Sequence, residues 1–126
     1  MQFLLLGFLI VGLDQLSKAL LPTLATNRGL AFGLLGNHPT VALTILGVAA
    51  GVTVWFSFKR YKHSLGQLGW SLVLAGLVSN VVDRLFYAGA VRDPFLVWKS
   101  IPAFNGADVS IVLGLLVLLF GKRPTA

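Results

Sequence analysis

Polar residues are rare along this chain, and they fall in blocks. From Phe3 to Leu21 every position is apolar or glycine except Gln15, Ser17 and the pair Asp14/Lys18, and Pro22 stops the run. A second run extends from Val41 to Phe58, launched after Pro39. A third covers Gln67 to Tyr87, and the fourth and shortest covers Ala107 to Gly121. At about 1.5 Å per residue the first run reaches roughly 28 Å, close to one hydrocarbon thickness, and the last about 22 Å. No segment alternates with period two, and lipid tolerates only helices or closed barrels. The pattern therefore predicts an all-α membrane protein, a single domain over 1–126 whose four transmembrane helices form a bundle. The start lacks the basic n-region and small-residue cleavage site of a secretory signal peptide.

The connections refine this picture. The stretch Asn27-Arg28-Gly29-Leu30-Ala31-Phe32-Gly33 is too apolar for an ordinary solvated loop, and its glycines permit tight turns. It predicts a small structured element lying on the outer membrane face. Lys59, Arg60 and Lys62 fill the link between the second and third runs, and Lys122 and Arg123 follow the fourth. The positive-inside rule assigns that side, and both termini, to the cytoplasm. Arg28, Arg92 and Lys99 stand on the opposite side. Trp98 on one side, and Trp55 and Trp70 on the other, suit the two membrane interfaces.

Composition agrees with this reading. Hydrophobic residues make up 56% of the 126, and mean hydropathy is +0.86. A net charge of +6 next to apolar runs fits anionic lipid better than nucleic acid. With no cysteine, disulfides, thiolate chemistry and cysteine–zinc sites are excluded. His38 and His63 fall on opposite sides of the predicted membrane, which argues against a histidine metal site or triad.

Glutamate is absent, so the acidic residues are Asp14, Asp83, Asp93 and Asp108 alone. The first run points outward, which puts Asp14 about 18 Å from its start. Asn80, Asp83 and Arg84 lie near the outer end of the third run, and Asp108 opens the fourth. Asp93 sits in the loop between those two. All four acids thus converge on the outer leaflet, and intramembrane ionisable groups face the bundle interior and mark function.

Each motif also has a structural explanation. Asp14 and Lys18, at i and i+4, make a self-neutralising pair. Asn105 and Asp108 suit an N-cap and the N3 position of a helix. Asp83 has Arg84 beside it, and Asn80 suits a hydrogen bond between helices. Asp93 lacks such an account, and Pro94 biases it toward an extended backbone that presents its carboxylate. Ser17 beside Lys18 does not make a serine–lysine hydrolase, because helical neighbours point about 100° apart.

In order, the segments DQLSK at 14–18, NRGLAFGLL at 27–35, SNVVDR at 79–84, VRD at 91–93 and FNGAD at 104–108 resemble the bacterial lipoprotein signal peptidase (signal peptidase II) family. The match runs almost end to end. The resemblance implies an aspartyl peptidase of the cytoplasmic membrane, without cofactor or metal. It would cut the signal peptide of diacylglyceryl-modified prolipoproteins before the lipidated cysteine. It makes Asp93 and Asp108 the catalytic pair. Asp14, Lys18, Asn27, Gly29, Asn80, Arg84 and Asn105 match positions that bind substrate or hold the site, and Asp83 matches a supporting one. The chain departs from the family pattern at Ser79, where a glycine usually precedes the asparagine. The stretch from Arg84 to Asp93 is one residue longer than usual, and the loop from Asp93 to Asn105 is shorter.

On that reading the two carboxylates share a proton, since close carboxylates do not easily both ionise. The helix start favours the anion at Asp108, so Asp93 is expected to carry the proton more often, with Arg92 opposing this by favouring an anion at Asp93. Two alternatives use the same acids: a proton- or ion-coupled transport or channel subunit, and a catalytically inactive relative. Transport needs polar residues across the whole bundle, and the second run offers only Thr44, Thr53 and Ser57.

Overall fold

The computed structural model describes residues 1–28, 38–60 and 62–121. Gly29, nearly all of the apolar stretch around it, and Lys122 and Arg123 lie outside those residues. Within them the chain forms α1 (Gln2–Leu20), β1 (Ala25–Asn27), α2 (Pro39–Arg60), α3 (Ser64–Phe86), β2 (Val91–Asp93) and α4 (Gly106–Phe120). Each apolar run falls on one helix; Leu21, Tyr87 and Gly121, the last residues of three runs, are the C-caps, and every helix starts ahead of its run. Helix α2 opens on Pro39, at a position where the missing N–H would have had no partner inside the helix. Helix α3 opens at Ser64, ahead of Gln67, because first-turn N–H groups need water or caps rather than apolar surface.

Helix α3 is the hub, packing against α1, α2 and α4. Its contact with α4 is close because both surfaces carry glycine. A Cβ on Gly114 would stand 2.6 Å from the Gly69 carbonyl oxygen and 2.8 Å from the Val73 nitrogen. Small residues of this kind let helices approach where no water-driven force exists between them. The outward faces carry exposed Leu4, Phe8, Leu9, Leu13 and Leu20 on α1, Val48 and Trp55 on α2, and Leu116, Leu119 and Phe120 on α4. Among the described residues, the fully buried side chains include Asp83, Ser79 and Asn105. Apolar outside and polar inside is the reverse of a water-soluble domain.

The expected all-α chain has one correction. Strands β1 and β2 pair antiparallel, with Ala25 opposite Asp93, Thr26 opposite Arg92 and Asn27 opposite Val91. Three residues are too few to show a period-two pattern, but pairing satisfies backbone groups that would otherwise lack partners. Helix α3 ends with Gly89 N–H donating to the Arg84 carbonyl at 2.9 Å. Ala88 (φ 52°) and Gly89 (φ 84°) adopt left-handed backbone there and turn the chain back into β2. Beyond β2, Phe95 and Phe104 exchange backbone hydrogen bonds at 3.0 and 2.9 Å, and their rings lie 5.7 Å apart. That bridge closes the loop and delivers the chain to the start of α4.

Candidate active site

The C-terminal turns of α1 and α3, strand β2 and the first turn of α4 meet at one end of the bundle, opposite the start of α3. On α1, Asp14 and Lys18 are one helical turn apart, and their charged groups touch at 2.6 Å. Lys18 also reaches α3, where Nζ lies 3.5 Å from Asp83 Oδ2 and donates to Asn80 Oδ1 at 3.2 Å. The self-neutralising pair is thus real, but Lys18 also serves Asp83 and Asn80.

Asp14 ties α1 to α4. Its Oδ1 accepts from the Ala107 N–H at 2.9 Å, one of the first-turn donors left without a partner inside the helix. Its Oδ2 accepts from the Ser79 hydroxyl at 2.6 Å. The α4 N-terminus closes as a capping box: Asn105 Oδ1 accepts from the Asp108 N–H at 2.9 Å, and Asp108 Oδ2 accepts from the Asn105 N–H at 3.1 Å. Asp108 Oδ1 faces α3 and accepts from Asn80 Nδ2 at 3.3 Å. The Asn105 amide turns toward β2 and donates to Asp93 Oδ1 at 2.8 Å.

A continuous polar chain therefore runs Asp14–Lys18–Asn80–Asp108–Asn105–Asp93, and Asp83 joins it through Lys18. All four acids are brought together. Arg84 donates to the Asn80 carbonyl at 3.3 Å and stands within electrostatic reach of Asp83, Asp93 and Asp108. Three cations, Lys18, Arg84 and Arg92, thus meet four carboxyls. Burial pushes the Asp93 carboxyl up to about 6, and the charge of Asp108 adds to the rise, while the hydrogen bond from Asn105 pulls the other way.

Asp93 and Asp108 both line a cavity of about 1040 Å³, together with Asn27, Arg28, Asn80 and Arg84. Its remaining wall is largely apolar, with Ile45 and Leu46 from α2, Leu77 from α3 and Ile111 and Val112 from α4. Asn27, on β1, thus joins the site at its rim.

One expectation is corrected. Arg92 does not favour an anion at Asp93 by direct contact; alternation along β2 turns its guanidinium the other way, onto Asp83 at 3.1 Å. Two participants had no assigned role from sequence. Gln15 Nε2 donates to Asp83 Oδ1 at 2.9 Å and to the Ser79 hydroxyl at 2.9 Å. The departure at Ser79 supplies the hydroxyl that joins Gln15 to Asp14. An amide set between Asp14 and Lys18 in an otherwise apolar run was the available signal for Gln15.

Residues 6–122 match the family model described as signal peptidase (SPase) II. The lipoprotein signal peptidase of Clostridioides difficile (strain 630) is 32% identical over 139 aligned positions, covering 94% of this chain and 92% of the relative. That of Burkholderia multivorans is 35% identical over 140 positions, covering 93% and 84%. Among solved structures, a bacterial membrane enzyme determined by the in meso method at 2.3 Å superposes with a TM-score of 0.80. It is 23% identical, over 99% of this chain and 93% of that one. A second, at 1.9 Å, gives 0.79 at 24% identity, over 98% and 94%. At such identity the likeness speaks for the fold.

Proposed function

This chain belongs to the signal peptidase II family, a family of peptidases, and from that premise we propose an aspartic endopeptidase acting on diacylglyceryl-modified prolipoproteins. It removes the signal peptide just before the lipidated cysteine, and Asp93 and Asp108 are its catalytic pair. The observation that carries this reading is that one residue, Asn105, holds both carboxyls, and both line the same cavity.

Mutual repulsion supports a shared proton. The charge of Asp108 acts on Asp93, and a proton retained on the pair removes that repulsion. The ionised member accepts a proton from a water molecule, whose oxygen attacks the scissile carbonyl carbon. The protonated member donates to the carbonyl oxygen, giving a tetrahedral diol. Collapse of the diol breaks the C–N bond, with a proton passing to the leaving amine. Asp108 accepts from two N–H donors, the Asn105 backbone and the Asn80 amide, and sits in the first turn of α4. These interactions favour Asp108 as the resting anion and Asp93 as the proton carrier.

All four helices span a bacterial cytoplasmic membrane in this proposal. Lys59 and Arg60 face the cytoplasm together with both termini, and the acids lie toward the outer leaflet. There the apolar wall of the cavity suits a signal helix and acyl chains. Among the described residues, the buried polar groups beyond the cluster, Thr53 and Ser110, bond to helix carbonyls rather than to one another. Thr53 bonds the Ala49 carbonyl at 2.7 Å, and Ser110 bonds the Leu72 carbonyl at 2.7 Å.

The test is cleavage of a diacylglyceryl-modified prolipoprotein by purified protein in nanodiscs, beside an unlipidated control. Asp93→Asn and Asp108→Asn should each abolish turnover and leave substrate binding in place. Full activity in Asp93→Asn would overturn the assignment and move attention to Asp83.

A further inference from the structure

The proton-sharing pair does not explain why the residue beside Asp93 is a heavily bonded arginine. The backbone N–H and Nε of Arg92 donate to Asp83 Oδ2 at 2.8 and 3.3 Å, and NH2 donates to Asp83 Oδ1 at 3.1 Å. This is a fork laid on a carboxylate, a geometry that fixes orientation as well as distance. NH2 also donates to Gln15 Oε1 at 3.1 Å, and NH1 donates to the Lys18 carbonyl at 3.4 Å. The Tyr87 ring stacks 4.1 Å from the guanidinium. Asp83 itself is 0% exposed, so its position is set by these partners and by Lys18. On the other face of β2, the Arg92 carbonyl accepts from Asn105 Nδ2 at 3.4 Å, the same amide that holds Asp93. The strand is therefore gripped from α1, α3 and the α4 cap at the residue adjoining Asp93.

We propose that Arg92, acting with Asp83 and Gln15, is a positioning residue for peptide hydrolysis: it clamps β2 to the ends of α1 and α3 and thereby fixes Asp93 relative to Asp108. This inference rests on the reading of Asp93 and Asp108 as the catalytic pair. Lysine retains the charge but not the planar fork, and methionine retains only the length.

The experiment measures kcat, KM and pH profiles for Arg92→Lys and Arg92→Met on the lipidated substrate in nanodiscs, with thermal unfolding of each. The kcat should fall by at least about tenfold, toward the roughly 100-fold that a misplacement of about 1 Å costs. KM should stay within about threefold, and Arg92→Lys should retain more activity than Arg92→Met. The high-pH limb of the profile should move to lower pH, because a loosened Asp93 gains water. Asp93 is faced by Asp108 from α4, Lys18 from α1 and Asp83 and Arg84 from α3, and all four are retained in these variants.

A folded Arg92→Met with kcat within about twofold of the parent overturns the proposal. So does a loss that tracks only the folded fraction and leaves the pH limb in place. Where Arg92→Met fails to fold, Arg92→Lys decides by the same two readouts. Asp93→Asn and Asp108→Asn, run alongside, separate the claims. Turnover surviving in either one defeats the catalytic pair and this proposal with it. Inactive Asn variants beside unaltered Arg92 variants defeat the positioning role alone.

Discussion

Replacing Asp93 with asparagine should make the folded protein more stable at neutral pH while ending turnover. The ordinary carboxyl value of 3.8 rises to about 6 in the folded state, which corresponds to about 3 kcal/mol at roughly 1.36 kcal/mol per pH unit. Asp93 is 5% exposed, so solvent screening removes little of this. Because the folded value lies above the unfolded one, the fold favours the protonated form. The associated stability is fully present below pH 3.8 and is lost as pH rises through about 6. Asparagine keeps an acceptor for Asn105 Nδ2 and does not titrate. Its own NH2 needs a partner, which costs about 1 kcal/mol and leaves a net gain near 2 kcal/mol at pH 8. The assay is reversible unfolding of both proteins in detergent micelles from pH 4 to pH 8. The parent should lose about 2.4 kcal/mol relative to the variant across that window, since part of the effect is already lost at pH 4. Asp93 is coupled to Asp108, so the midpoint belongs to the pair, and the amplitude is what tests the argument. A parent–variant difference that stays flat with pH would refute it.

Gly114→Ala should destabilise the α3–α4 contact by about 1–3 kcal/mol, since besides the Val73 side chain its Cβ meets the Gly69 carbonyl oxygen and the Val73 nitrogen, backbone atoms that cannot swing aside. Gly7→Ala, with open space at that position, should be neutral or stabilising by up to about 1 kcal/mol in the same unfolding assay. Chelation with EDTA should leave cleavage of the lipidated substrate unchanged, because catalysis is assigned to carboxyls and water. Loss of activity that zinc or magnesium restores would overturn that assignment.

The helices were legible because long apolar runs without period-two alternation leave helix as the simple solution, and each run lies in one helix to within a residue. The meeting of the acids was legible for a related reason, since run direction alone puts Asp14, Asp83 and Asp108 at one end. The capping box at Asn105 and Asp108 is a local event four residues long, and the sequence carries it directly. The β1–β2 pairing was not legible, because its three-residue strands are joined through tertiary geometry rather than pattern. Arg92 was misread because a neighbour in sequence was treated as a neighbour in space, whereas strand alternation sends adjacent side chains apart. Ser79 read only as a departure from a glycine. Its meaning depends on Gln15 and Asp14, 64 and 65 positions away.

The bond from the Ala107 N–H to Asp14 spans 93 positions of chain, and it has a consequence for how the molecule is made. During synthesis Asp14 and Lys18 emerge well ahead of the Ala107 N–H that completes their network, 93 positions later than Asp14. Until α4 is inserted, Asp108 and the Asn105 that bridges it to Asp93 are missing from the membrane. On the proposed assignment, a nascent chain therefore carries no competent pair of carboxyls while its own unfinished segments, and other translocating polypeptides, pass close by. Proteolytic capacity would then arise in one late step, coupled to completion of the bundle.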